Sequence, residues 1–97
     1  MPKPAALTPS QFRRIAKALA DPRRFEILKA VGCQREGIAC ALIRKTQNVT
    51  AATLSHHLKE LEVAGLISIE RQGKCADLQL RRDVLAAYIR HLKSICS

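Results

Sequence analysis

The chain has few acidic residues, few glycines and no long apolar segment, and each shortage excludes a class of function. Its 97 residues include 8 acidic side chains against 17 lysines and arginines. The 4 glycines are scattered, so no glycine-rich phosphate loop is present, and no nucleophile–base set is evident; we expect no enzyme activity. No segment approaches the roughly 20 apolar residues that cross a bilayer, so no membrane partner is expected.

The excess of basic residues indicates a polyanionic partner. The formal net charge is +9 and the isoelectric point is about 10.0, which is typical of proteins that bind nucleic acid. The length allows one small core and therefore one domain. The first residues lack the apolar centre of a signal peptide, so we expect a cytoplasmic protein whose cysteines are reduced thiols.

Capping residues predict five helices along the chain. Thr8 begins a capping box that starts the first helix, and Asp21 followed by proline starts the second. Gly37 is expected to open a short third helix that ends near residue 46. Thr50 is the predicted cap of the fourth helix and Asp83 that of the fifth.

The fourth helix has an apolar stripe of Leu54, Leu58 and Leu61, which must be buried. Its opposite face carries small and hydrogen-bonding side chains, which suit a groove of DNA. An alternating segment over residues 66–80, with a turn at residues 72–74, then predicts a basic β-hairpin. A helix followed directly by a basic hairpin is the winged helix-turn-helix arrangement.

The predicted fold is therefore mainly α with a small β-hairpin: five helices and a two-stranded wing. Residues 1–8 are expected to form a flexible N-terminal arm, and residues 9–97 a winged helix-turn-helix domain for DNA binding and dimerisation. The partner is double-stranded operator DNA. The residues expected to contact it lie on the fourth helix and the wing: Thr50, Ala52, Thr53, Ser55, His56, His57, Lys59, Arg71 and Lys74.

Some of the basic residues of the chain, inside and outside this set, allow more than one interpretation. His57 lies at the edge of the buried stripe, so a packing role is as compatible with the pattern as DNA contact. Arg71 and Lys74 could be solvated charges, although their place on a hairpin beside the reading helix favours contact with the DNA backbone or minor groove. Arg23 and Arg24 follow a helix start and fit either a solvated face or phosphate contact.

The first and last helices carry more apolar surface than a small monomer needs. We predict a homodimer through these two helices, because a two-fold dimer places two reading helices about 34–36 Å apart for a palindromic site. The alternative is that both stripes pack only within the monomer. The stripe residues are Phe12, Ile15, Leu19, Leu85, Ile89 and Leu92.

Three motifs, at residues 19–28, 55–67 and 71–74, resemble the ArsR/SmtB family of bacterial winged-helix repressors, and the similarity extends over about residues 12 to 95. The resemblance implies a homodimer that blocks a promoter and releases it when an inducer binds. In that family the inducer is often a metal or metalloid ion, and in other members a thiol oxidant or a sulfide species. Many members carry glutamine where this chain has Ala51, which leaves open the base read there.

The resemblance also implies a role for the cysteines. Cys40 matches the second cysteine of a family Cys-x-Cys-Asp-Leu motif that senses arsenic, cadmium or lead, while Ile38 replaces the first. One thiolate does not hold a soft ion alone. Cys33 is the nearest candidate to join Cys40, with Cys96 in reserve. The expected inducers are arsenite, cadmium, lead or zinc.

Other interpretations of the thiols remain open. Redox-sensing relatives pair a thiol near the second helix with one at the end of the last, which makes a Cys33–Cys96 disulfide an alternative switch. Cys40 and Cys96 could instead be small core residues with no sensing role, and Cys75, in the wing, looks badly placed for either site. A family zinc site on the last helix would keep only Asp83 and His91 here, so we do not expect it. Non-specific architectural DNA binding is the remaining alternative for the whole protein.

Overall fold

A computed structural model describes residues 7–96 as five helices and a three-stranded antiparallel sheet. The predicted helix count and the hairpin are confirmed. The elements in chain order are α1 (Pro9–Leu19), α2 (Pro22–Gly32), β1 (Ile38–Ala39), α3 (Cys40–Gln47), α4 (Ala51–Val63), β2 (Ile67–Gln72), β3 (Cys75–Leu80) and α5 (Arg82–Cys96).

Side-chain caps start three of the helices as predicted. The hydroxyl of Thr8 accepts from the Gln11 N–H at 3.1 Å, and Asp21 accepts from the Arg23 N–H at 2.8 Å. Thr50 caps α4 in the same way. Each cap satisfies an N–H group that has no partner inside its own helix.

The start of the third helix differs from the prediction. Gly37 has a φ of 101° and does not begin a helix; residues 38 and 39 are extended and pair with β3, Ile38 opposite Leu78 and Ala39 opposite Asp77. The helix begins only at Cys40. The wing was expected to have two strands, but β3 has a free edge to which this short segment bonds, so the sheet order is β1-β3-β2.

The core lies where α1, α2 and α4 pack against one another and against the sheet. The predicted stripe of Leu54, Leu58 and Leu61 is buried there. From α1, Ile15 is fully buried, whereas Phe12 is half-buried and stacks on Tyr88 of α5 with ring centroids 4.8 Å apart. Much of the apolar stripe of α1 is therefore used inside the monomer.

Arg24 contacts the end of α1, a role that neither interpretation of this residue included. Its guanidinium donates to the carbonyl oxygen of Ala18 at 2.8 Å and to that of Lys17 at 3.2 Å. Arg24 thus satisfies carbonyl groups at a helix end, where positive charge is favourable. Arg23 remains exposed.

Most of the predicted N-terminal arm, residues 1–6, lies outside the described residues. Ser97, the last residue of the predicted domain, also lies outside them. The last two residues of the predicted arm are described: Leu7 packs against the core and Thr8 caps α1. Over residues 7–96, no helix is both long and apolar enough to cross a membrane.

Candidate nucleic-acid interface and thiol sites

The outer face of α4 presents most of the predicted DNA contacts to solvent. Ala52, Ser55, His56 and Lys59 are exposed on it, and Thr53 is half-buried near the start of the helix. This face is turned away from the leucine stripe, because side chains three and four positions apart share one side of a helix. Ser55, His56 and Lys59 therefore offer hydrogen-bond donors at three distances from one helix, and such side chains can contact base edges and phosphates.

His57 lies on the inner side of α4. Only 6% of its surface is exposed, and its Nδ1 has no hydrogen-bond partner among the residues that the structure describes. Burial holds the pKa of His57 below its ordinary value, although the nearby Asp21 carboxylate acts in the opposite direction. The geometry favours the packing interpretation of this histidine over DNA contact.

The wing places its basic residues beside α4. Arg71 and Lys74 are exposed, and both line a cavity of about 330 Å³ that also contacts Ser55 of α4 and Arg44 of α3. Three cationic side chains, one from α3 and two from the wing, thus border the reading helix. Sequence reasoning missed Arg44; its position in the helix before the reading helix, together with its charge, was the signal that could have identified it.

The four cysteines lie at the ends of elements and none forms a disulfide in the described chain. Cys33 follows the last residue of α2, and Cys96 is the last residue of α5; both are exposed. Cys40 is the first residue of α3 and half-buried. Among residues 7–96, no group of three or more histidine, cysteine, aspartate or glutamate side chains is arranged to hold a metal ion.

Cys75 is exposed at the turn end of the wing. It is the first residue of β3, and it lines the same cavity between the wing and the reading helix that Cys40 lines. This position in the wing is the reason for the prediction that Cys75 is badly placed for a thiol site. Its side chain lies on the strand face that carries Glu70, Gln72 and Asp77, and these residues line a second cavity with it.

The chain matches the helix-turn-helix domain family over residues 19–70. It is 38% identical to an arsenical resistance operon repressor from Staphylococcus xylosus over 75 residues, which are 77% of this chain and 70% of that protein. A repressor of the same description from Staphylococcus aureus is 36% identical over 85 residues, which are 88% of this chain and 80% of that protein. The chain belongs to the ArsR family of transcriptional repressors.

Solved structures share the fold of this ArsR-family repressor. An ArsR-like transcriptional regulator from Rhodococcus sp. RHA1 superposes with a TM-score of 0.77 at 22% identity, covering 89% of this chain and 79% of that one. The homodimeric winged helix-turn-helix DNA-binding domain of a protein from Mycobacterium bovis gives 0.71 at 23% identity, covering 94% and 89%. The relatives are transcriptional regulators rather than enzymes, in agreement with the expectation from the sequence.

Asp83 and His91, the two residues of this ArsR-family chain that match part of the zinc pattern on the last helix, contact other side chains. The carboxylate of Asp83 accepts from the Arg81 guanidinium at 3.1 and 3.3 Å, and this hydrogen bonding lowers the pKa of Asp83. The ring of His91 lies against that of Phe12, with centroids 4.7 Å apart. Both side chains thus have partners within the protein.

Proposed function

We propose that the protein is a cytoplasmic homodimeric repressor that reads a palindromic operator with α4 and the wing and leaves it when a thiol-directed inducer binds. The observation that carries this proposal is the continuous surface formed by the outer face of α4, the wing and Arg44 of α3. Thr53, Ser55 and His56 would contact base edges, and Lys59, Arg71 and Lys74 would contact the DNA backbone. Thr50 and Ala52 border the same face at the start of the helix.

An apolar groove between α2 and α5 supports the dimer. Phe25, Ile89 and Leu92 are 51%, 47% and 41% exposed, and all three line the groove, whose volume is about 430 Å³. Exposed apolar surface of this kind marks protein–protein contacts, and a homodimeric relative shares the fold. We place the centre of the interface on α5. From α1, Leu19 lines the groove, but Ile15 is committed to the monomer core.

The inducer proposed first is arsenite, because the two staphylococcal relatives are arsenical resistance repressors. Cadmium, lead and zinc remain candidates at the same thiols. Cys40 is the proposed centre of the sensor, joined by Cys33 as a second thiolate or by Cys96 in reserve, since a soft ion needs at least two sulfur ligands. The alternative is a repressor that senses oxidants or reactive sulfur through a Cys33–Cys96 disulfide.

The test is a comparison of specific with non-specific DNA binding. Duplexes selected by the protein from a random pool would be compared with scrambled duplexes by fluorescence anisotropy, and each complex would then receive arsenite, cadmium, zinc or a polysulfide. A repressor prefers its selected duplex by at least about a thousandfold and is released by one of these reagents. Equal affinity for both duplexes would instead identify an architectural DNA-binding protein.

A further inference from the structure

A second group of cations lies beside the reading helix, on α1. Arg13, Arg14 and Lys17 are exposed, and they line a cavity of about 310 Å³ between α1 and the end of α4. The two salt bridges of the described chain, one at the start of α2 and one at the start of α5, involve none of the three. Among the lining residues, only Glu60 carries a carboxylate. Arg13, Arg14 and Lys17, here called the cationic patch, therefore keep an excess of positive charge.

The cationic patch and the wing lie on opposite sides of the proposed reading face of α4. Ser55 borders the cavity on the wing side, whereas Glu60 borders the cavity on the α1 side. At about 100° per residue, these two positions are roughly 140° apart around the helix. The exposed residues His56 and Lys59 lie within that arc. The reading face is therefore bordered by positive charge on both sides.

The cationic patch stays exposed when a dimer forms through α5. Lys17 is two positions from Leu19, which lines the groove between α2 and α5, and Arg14 is two positions from Phe12, which stacks on α5. Residues two positions apart point to nearly opposite sides of a helix. The proposed dimer interface and the cationic patch thus use different sides of α1.

We infer that the cationic patch binds the phosphates of one DNA strand while Arg71 and Lys74 of the wing bind those of the other. The major groove is about 12 Å wide and has a phosphate backbone along each edge, so a helix inside it has phosphates on both sides. The wing and the cationic patch provide cations for the two edges. The inference rests on the proposed function, because it takes α4 as the helix in the groove. It adds α1 to the DNA-binding surface and makes Glu60 an unfavourable neighbour of the phosphates.

Salt-dependent DNA binding measures the contribution of the cationic patch. Arg13→Ala, Arg14→Ala, Lys17→Ala and the triple variant remove its charges, and alanine is well tolerated in a helix. Arg35→Ala is the matched control, because Arg35 is also exposed but lies in the loop between α2 and β1. Glu60→Gln changes the charge in the opposite direction. Circular dichroism and sedimentation check each variant, and anisotropy titrations use the selected and the scrambled duplex at several salt concentrations.

Each single alanine variant of the cationic patch should reduce the slope of log affinity against log salt by about one. The triple variant should reduce it by about two to three and should lose at least about tenfold in affinity for both duplexes at low salt. Glu60→Gln should bind both duplexes more tightly than the wild type, a gain that a purely structural role of α1 does not predict. A wild-type slope in the triple variant, an equal effect of Arg35→Ala, or no gain with Glu60→Gln would each contradict the inference.

Phosphate ethylation locates the contacts on the selected duplex. Phosphates whose ethylation weakens binding of the wild type but not of the triple variant are those at the cationic patch. The same comparison with Arg71→Ala/Lys74→Ala identifies the phosphates at the wing. We expect the two sets on opposite strands across the major groove in each half-site. Coinciding sets, or no phosphate lost with the triple variant, would refute the assignment.

The inference and the proposed function fail in different ways. A strong preference for the selected duplex together with an unchanged salt slope in the triple variant would support the repressor, overturn the inference and leave the cationic patch to an acidic protein. Equal affinity for both duplexes, with the slope reduced in the triple variant, would support phosphate binding by the cationic patch and contradict the sequence-specific repressor.

Discussion

The hydroxyl of Thr50 donates a hydrogen bond to Oγ1 of Thr53 at 2.9 Å and accepts one from the Thr53 N–H at 3.1 Å. The first residue is the cap of α4, and the second is a proposed base contact one turn later. The Thr53 hydroxyl keeps its own O–H for donation, since a hydroxyl both donates and accepts. The cap therefore orients a side chain that we propose as a base contact.

Thr50→Ala should lower the free energy of unfolding by about 1 kcal/mol, because it removes the cap of α4. Thr50→Ser retains a hydroxyl and should stay close to the wild type. Urea denaturation without DNA measures both variants. A Thr50→Ala protein as stable as Thr50→Ser would show that the cap contributes nothing to the fold.

Substitutions on α4 and on the wing should have different effects on DNA binding. Thr53→Ala and His56→Ala should reduce discrimination between selected and scrambled duplexes by about 1–3 kcal/mol for each lost base contact. Arg71→Ala and Lys74→Ala should weaken binding to both duplexes and reduce the salt dependence by about one ion each. Anisotropy titrations at several salt concentrations test this division, and identical behaviour of the two groups would contradict it.

Stability should fall on mild acidification because of His57. Burial lowers its pKa from the ordinary value of 6.5, so the unfolded chain binds more protons than the folded one as the pH falls through that value. Neutral His57 makes its full contribution to stability at pH values above 6.5, and this contribution is progressively lost as the pH falls below that value. Urea midpoints at about pH 7.5 and pH 5.5 should therefore differ more in the wild type than in His57→Gln.

The exposed neighbour provides the matched control for this pH effect. His56→Gln, on the outer face of α4, should keep the same loss of stability on acidification as the wild type. If His57→Gln loses as much stability on acidification as the wild type does, groups other than His57 cause the pH dependence.

The proposed dimer should depend on α5. Leu92→Glu places a charge in the proposed apolar interface, where an unpaired charge is strongly unfavourable, and should convert the dimer to monomer in sedimentation experiments. Val63→Glu is the control, because Val63 is 44% exposed and Leu92 is 41% exposed, yet Val63 lies at the end of α4 away from the groove. Dissociation by both substitutions, or by neither, would contradict an interface centred on α5.

Local signals in the sequence were enough to predict where three of the helices begin and which face of α4 is buried. Thr8, Asp21 and Thr50 are followed by helices because a cap acts within one turn of its own residue. The spacing of Leu54 and Leu58 was enough to predict which side of α4 is buried, and therefore which side is available to DNA.

Features that depend on distant parts of the chain were not accessible in this way. Ile38 becomes a strand residue because β3 offers a free edge, which no local pattern reveals. The same pairing brings Cys40 to the cavity that Cys75 lines. His57 lies at the margin of the apolar stripe, and packing against neighbouring helices decided its burial.

The unequal pairing of the wing divides it into two mechanical parts. At Asp77 and Leu78, β3 is paired on both sides, with β1 and with β2, whereas towards the turn it is paired only with β2. The tip is open, since a side chain added at Gly73 would meet no atom within 4 Å. Amide hydrogen exchange should therefore be slow at the base and fast at the tip, so that the tip can adjust to local variations in groove width while the base keeps its position beside α4.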